Sequence, residues 1–295
     1  MNISHTDLAL EAKTIWENSS DENTMLEGVT AGEVTENGYR ITTVEILNEK
    51  GSEILCKPIG KYVTVDLEGL LRREDGSFEA GTELIAGVIR DMLPSVIDGT
   101  VLVAGLGNRA ITPDRIGPEV ADGVLATRHL VMNEPGQFPF FNRVSVIAPG
   151  VLGTTGIESG DLIKTLAEEL GAECVIAVDA LCSAGTERLC RTVQITDTGI
   201  TPGSGVGNAR SELNDKTLGV PVIAVGVPTV MTVYSAATEL FGEVPESEET
   251  DRARSMIVTP RDIDVKTKEI AKTVSYALNM ALHNGLSVGD IDMLI

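Results

Sequence analysis

The chain has 295 residues, a formal net charge of −21, 42% hydrophobic residues and only 3% aromatics. That charge excludes non-specific binding to nucleic acid or anionic membranes, which depends on clusters of Lys and Arg. With so few aromatics the core must be built from Val, Ile, Leu and Ala, the mixture of parallel sheets packed under helices.

Residues 1–35 are polar and acidic, and "SSDENT" at 19–24 reads as a solvated loop after a short helix. From 38 to 67, "YRITTVEILN", "SEILCK" and "KYVTVDL" alternate apolar and polar residues between glycine turns, which predicts a small β meander with one exposed face. A helix is expected at about 78–95, where apolar residues recur at three and four. The rhythm then changes. Short continuous apolar strands are predicted at 100–106, 143–150, 173–181 and 221–228, with helices at about 116–132, 160–170 and 229–241. Strands apolar on both faces, alternating with helices, indicate an α/β fold with a doubly wound, mostly parallel sheet flanked by helices. "EVPESEETDRARS" at 243–255 reads as a charged linker. The carboxyl-terminal "TPRDIDVKTKEIAKTVSYALNMALH" opens with a Thr cap and Pro, then runs as a long amphipathic helix.

Cys56, Cys174, Cys182 and Cys190 form no CxxC pair and have no His at ligand spacing, so reduced structural thiols are expected and no metal site is evident. The opening "MNISHTDLALEAK" lacks the basic and apolar regions of a signal peptide, and no apolar run approaches the ~20 residues that span a bilayer. A cytoplasmic protein without a membrane partner is the expectation.

In such a sheet, ligands bind outside the carboxyl ends of the strands. Four small-residue loops qualify: "GLGNRAITPDRIGP" (105–118), "APGVLGTTGIESGD" (148–161), "VDALCSAGTER" (178–188) and "TDTGITPGSGVGN" (196–208). None carries the Lys-Ser/Thr of a phosphate loop, and "GLGNRA" lacks the third glycine of a dinucleotide fingerprint, so no cofactor is expected. There is no GxSxG elbow, and His5, His129 and His283 are scattered. Cys182 follows a strand and is the best thiol candidate, without a nameable charge partner.

Carboxylates remain. Asp114 opens a helix after the 100–106 strand, and Asp179 ends the strand "CVIAVD". Brought together, one of two such acids keeps a proton and polarises a carbonyl while the other activates water. On spacing alone the pairing stays open, because Asp114 also fits a helix N-cap and Asp179 a turn cap. Asp197, in "DTG", is a third acid that fits a role in holding its glycine loop.

Together "HTDLALEAK", "GLGNRAITPDRIGP", "TRHL", "APGVLGTTGIES", "VIAVDAL" and "QITDTGITPGSGVGNARSELNDKTLGVPVIAVGVPTV" resemble the germination proteases of spore-forming bacteria, through most of the chain and in order. The region near 240–255 is shorter than in that family. The resemblance implies an atypical aspartic endopeptidase of the spore core, homotetrameric, that degrades small acid-soluble spore proteins during germination. It places the catalytic aspartates of the TPD and DAL motifs on Asp114 and Asp179; Gly107, Asn108, Gly150 and Asp197 are further candidate supporting positions. It also implies a zymogen that cuts itself at the TDLA motif, between Asp7 and Leu8. Residues 1–7 are then a pro-segment ahead of a single α/β peptidase domain, residues 8–295. The fold resembles that of hydrogenase-maturation proteases. Two other classes stay open: a metal-dependent maturation-type hydrolase using Asp114 and a nearby acid, and a non-catalytic acidic protein that binds basic partners.

Overall fold

The computed structural model describes residues 6–19, 26–95, 98–134, 136–207, 210–242, 244–245 and 247–295. The expected loop at 19–24 lies outside them except for Ser19, as do residues 1–5 of the expected leader.

The described strands are β1 (Val29–Glu36), β2 (Tyr39–Ile46), β3 (Gly60–Asp66), β4 (Thr100–Gly105), β5 (Arg143–Ile147), β6 (Ala172–Ser183), β7 (Thr192–Thr196), β8 (Val222–Thr232) and β9 (Ile257–Val258). They form one mixed sheet in the order β1-β2-β3-β7-β8-β6-β4-β5, with β9 paired to β8. The β8, β6, β4 and β5 side is parallel. The β1, β2, β3 and β7 side is antiparallel, and β7 joins it to β8.

Alternation along the parallel strands explains the layers. Val101, Val103, Ile176 and Val178 point into one core, which includes residues of helices Ser77–Met92, Ile116–Asp122 and Ile263–Leu282. Leu102, Ala104, Val175 and Ala177 point into the other, shared with Ile163 and Ala167 of helix Ser159–Leu170. Both faces are dry, which is why these strands read as unbroken apolar runs. A third cluster sets helix Ala9–Ser19 against β2 and β3 through Ala9, Ala12, Val44, Ile46 and Tyr62. Among the described residues, no helix is long and apolar enough to cross a membrane.

Several boundaries differ from the sequence reading. The meander gains β1, paired to β2 through Asn37 and Gly38, both at positive φ as a tight hairpin turn requires. "SEILCK" is not a strand but falls mostly in helix Glu49–Leu55, because the Asn48 side chain caps the Gly51 amide at 3.1 Å. The predicted 229–241 helix starts only at Val233, since fully buried β8 continues to Thr232, whose hydroxyl caps Ser235. The predicted 116–132 helix divides into Ile116–Asp122 and Arg128–Asn133 around Gly123. Most of the charged linker is helix Glu248–Ser255, opened by a Ser247–Thr250 capping box with acids first and arginines last. Thr259 does not cap the last long helix; its hydroxyl donates to the Thr229 carbonyl at 2.8 Å.

Candidate active site

The sheet reverses its winding at β4, which has β5 on one side and β6 on the other. The crevice beyond the carboxyl ends of such strands is where an α/β sheet takes ligands. Here it holds a cleft of about 430 Å³ lined by Asp114, Asp179, Asp7, Asn108, Cys182, Arg210 and Thr229, among others.

Asp114 reaches the cleft through the turn after β4. Gly107 sits at φ +116, and a Cβ there would lie 2.0 Å from the Asp114 carbonyl oxygen. Only glycine lets the chain fold back this closely. The closed loop presents the Asn108 amide, which donates to Asp114 Oδ2 at 2.8 Å. Asn108 also braces the turn by accepting from Ala110 N at 3.0 Å through its side chain. Burial pushes the Asp114 carboxyl above its ordinary proton affinity, and the Asn108 amide opposes the shift.

Asp179 belongs to the middle of β6, not to its end. The β4 register stops at Gly105 opposite Val178, so Asp179 is the first β6 residue past the β4 edge. β6 and β8 continue together to Ser183 and Met231, with a register shift after Leu181. The Asp179 side chain is 5% exposed and accepts from the following Ala180 amide at 2.9 Å. Its pKa is raised well above the carboxylate range, first by burial, then by the charge of Asp114 and, more weakly, of Asp7. The charge of Asp114 thus bears on Asp179 in one partly dry crevice, an arrangement that disfavours ionising both acids at once.

A further acid of the cleft, beside Asp114, Asp179 and Glu158, comes from the amino-terminal segment. Asp7 Oδ2 accepts from the Cys182 amide at 2.8 Å, and Oδ1 accepts from the Ser204 hydroxyl at 2.7 Å. The Asp7 amide donates in return to the Cys182 carbonyl at 3.0 Å. Gln194 spans the Asp7–Leu8 junction, accepting from the Ala9 amide at 2.8 Å and donating to the Asp7 carbonyl at 3.3 Å. A second hollow of about 250 Å³, lined by Lys57, Tyr62, Gln194 and Thr198, adjoins Asp7 from the other side.

The remaining candidates separate from this cluster. Asp197 does not line the cleft; it accepts from the Lys61 amide at 2.8 Å and anchors the start of β3. Gly150 is at φ +76 and takes the Ser159 hydroxyl on its carbonyl at 2.8 Å, shaping the wall that Val151 and Ser159 form. Burial pushes the Cys182 thiol up to about 12, which leaves little thiolate for nucleophilic work. His283 lies buried in a different part of the fold, its pKa lowered to about 4 by burial. Among the described residues, no group of three or more His, Cys, Asp or Glu is placed to hold a metal ion. Sequence reasoning missed Ser204 and Gln194, whose only signal is spatial.

A family model described as germination protease (Peptidase A25) matches residues 6–242. A germination protease of Caldanaerobacter subterraneus is 37% identical, over 98% of this chain and 97% of the relative. Those of Clostridium perfringens and Priestia megaterium are 35% and 34% identical, covering 98% and 95% of this chain and 98% and 93% of the relatives. Among solved structures, a [NiFe] hydrogenase maturation protease from Thermococcus kodakarensis aligns with a TM-score of 0.36 and 16% identity, over 65% of this chain and 98% of that one.

Proposed function

The chain belongs to the germination protease family, and from that premise we propose that it is an aspartic endopeptidase which degrades small acid-soluble spore proteins in the spore core. The supporting observation is the pair of carboxyls, Asp114 and Asp179, held in one cleft with both proton affinities raised.

The more deeply buried Asp179 keeps its proton and donates a hydrogen bond to the scissile carbonyl oxygen. Asp114, propped by the Asn108 amide, accepts a proton from water as the water oxygen bonds to the carbonyl carbon. Collapse of the resulting tetrahedral species breaks the C–N bond, and the proton held by Asp114 passes to the leaving nitrogen. The pair then again holds one proton.

In this reading the protein is a zymogen that removes residues 1–7 itself. Asp7 lines the cleft, and the Cys182 amide and Ser204 hydroxyl grip its carboxylate as they would an acidic substrate residue preceding the cut. Incubating a small acid-soluble spore protein with wild type and with Asp179→Asn tests the activity: cleavage by wild type alone is expected. Amino-terminal sequencing of wild type and Asp114→Asn tests self-cleavage. Leu8 should appear as a new terminus only in wild type, and equal processing of both would assign the cut to another protease. The metal-dependent alternative predicts inhibition by chelators; the aspartate pair predicts none.

A further inference from the structure

Removal of the leader takes away more than Asp7. Thr6 departs as well, and Thr6 is the middle member of a buried relay: its hydroxyl accepts from the Leu8 amide at 3.0 Å and donates to Glu11 Oε2. Thr6, Leu8 and Glu11 are 1%, 0% and 3% exposed. Glu11 is also the anchor of the turn that follows β6. Its Oε1 accepts from the Ser183 hydroxyl at 2.7 Å and its Oε2 from the Ala184 amide at 2.6 Å.

The Leu8 carbonyl accepts the first helical hydrogen bond, from the Ala12 amide at 3.1 Å, so Leu8 caps helix Ala9–Ser19 and Glu11 is its third residue. A Glu at that position reaches back to the nitrogen of the cap residue in a capping box. In the uncut chain Thr6 stands between the two groups. Hydrolysis of the Asp7–Leu8 bond puts the water's hydroxyl on the Asp7 carbonyl carbon and a proton on the Leu8 nitrogen, and the leader's departure removes the intervening hydroxyl.

We propose that Glu11 is a positioning residue: it receives the ammonium group created at Leu8 in a buried ion pair, and through Ser183 and Ala184 this pair sets the end of the strand that carries Asp179. The inference rests on the reading that the chain is cut between Asp7 and Leu8. The start of a helix disfavours a positive charge, so Glu11 is what holds it there. The other charged or titratable groups near the site are Lys57, Arg188, Cys182 and Glu239, whose carboxylate accepts from Thr186 on the same turn. Lys57 Nζ donates to the Thr6 carbonyl at 2.7 Å in the uncut chain, and Arg188 Nη1 lies 4.0 Å from Glu11. Cys182 feels the charges of Glu11 and Lys57. Once Asp7 has left, Glu11 is the carboxylate that Thr6 bridged to the Leu8 nitrogen, and it raises the proton affinity of the new amine.

The test uses chains made to begin at Leu8 by removing an amino-terminal fusion, so it does not depend on self-cleavage. Competitive labelling of the α-amine against pH should give a pKa at least one unit above the ordinary range of about 7.7–8.0, returning to that range in Glu11→Gln. Equal values in the two chains overturn the proposal. A chain with one extra glycine before Leu8 keeps every side chain but moves the charge. On the peptide SHTDLALEA its kcat should fall by at least about tenfold, with KM within about twofold, as loss of a buried ion pair implies. Equal kcat with and without the glycine, zero included, also overturns it. Failure of the self-cleavage reading shows elsewhere, as a full-length chain that never yields Leu8.

Discussion

The Cys182 amide donates to the Asp7 carboxylate at 2.8 Å, from the same strand that carries Asp179. In the proposed reading, the strand that carries the catalytic acid thus also holds the segment to be cut. A hydrogen bond to a charged group contributes about 1.5–3 kcal/mol. Asp7→Ala should slow the appearance of Leu8 as a terminus by at least about tenfold, measured by mass spectrometry of the intact chain over time. An unchanged rate would mean that this grip plays no part in cleavage.

Asp179→Asn should abolish turnover and at the same time stabilise the fold at neutral pH. A carboxyl whose folded pKa is raised favours the folded state fully below its unfolded pKa of about 3.9, and that contribution is lost as pH rises through the raised value. The upward shift of Asp179 means that at neutral pH the unfolded chain gives up a proton that the folded cleft retains, so stability falls as pH rises even while the group stays protonated. Asparagine keeps the shape and does not titrate, so it removes this pH-dependent cost. Thermal unfolding at pH 8 should rise by about 2 °C or more, and by less at pH 4. A lower Tm at pH 8 would show that the carboxylate is well solvated.

Gly107→Ala probes the loop rather than the acids. The new Cβ would sit 2.0 Å from the Asp114 carbonyl oxygen, in a backbone conformation that disfavours any side chain. Displacing Asp114 by even an ångström should cut kcat by about a hundredfold. Circular dichroism should show the fold retained, because the loop lies at the rim of the sheet. Wild-type turnover by this variant would uncouple the loop from catalysis.

Assembly gives a separate check. β1 is an edge strand whose residues are almost all exposed, and such edges need cover. The homotetramer that the resemblance implies should sediment at about four times the mass of one chain at micromolar concentration. A monomer would contradict it.

Much of the fold was legible because burial on both faces leaves the plain mark of continuous apolar runs, as in β4, β6 and β8. "SEILCK" was not, since a stretch this short fits either period and the Asn48 cap decides it. β7 escaped because five buried residues beside a glycine loop carry no alternation. The TPD and DAL acids were marked out by their motifs, though strand position placed Asp179 at a strand end and β6 carries it in its middle. The seat of Asp7 was not, because Cys182, Gln194 and Ser204 come together only through sheet order and loop closure.

The central claim is that Asp114 and Asp179 share one proton and hydrolyse peptides as a pair. It is tested most directly by kcat/KM against pH for SHTDLALEA, measured on wild type, Asp114→Asn and Asp179→Asn. Burial raises both carboxyls, so activity should be lost on the acid side as Asp114 takes up a proton and on the alkaline side as Asp179 gives its proton up. The two apparent pKa values belong to the pair, and each Asn variant should be inactive across the range. A single-limbed profile, or substantial turnover by either variant, would contradict the account.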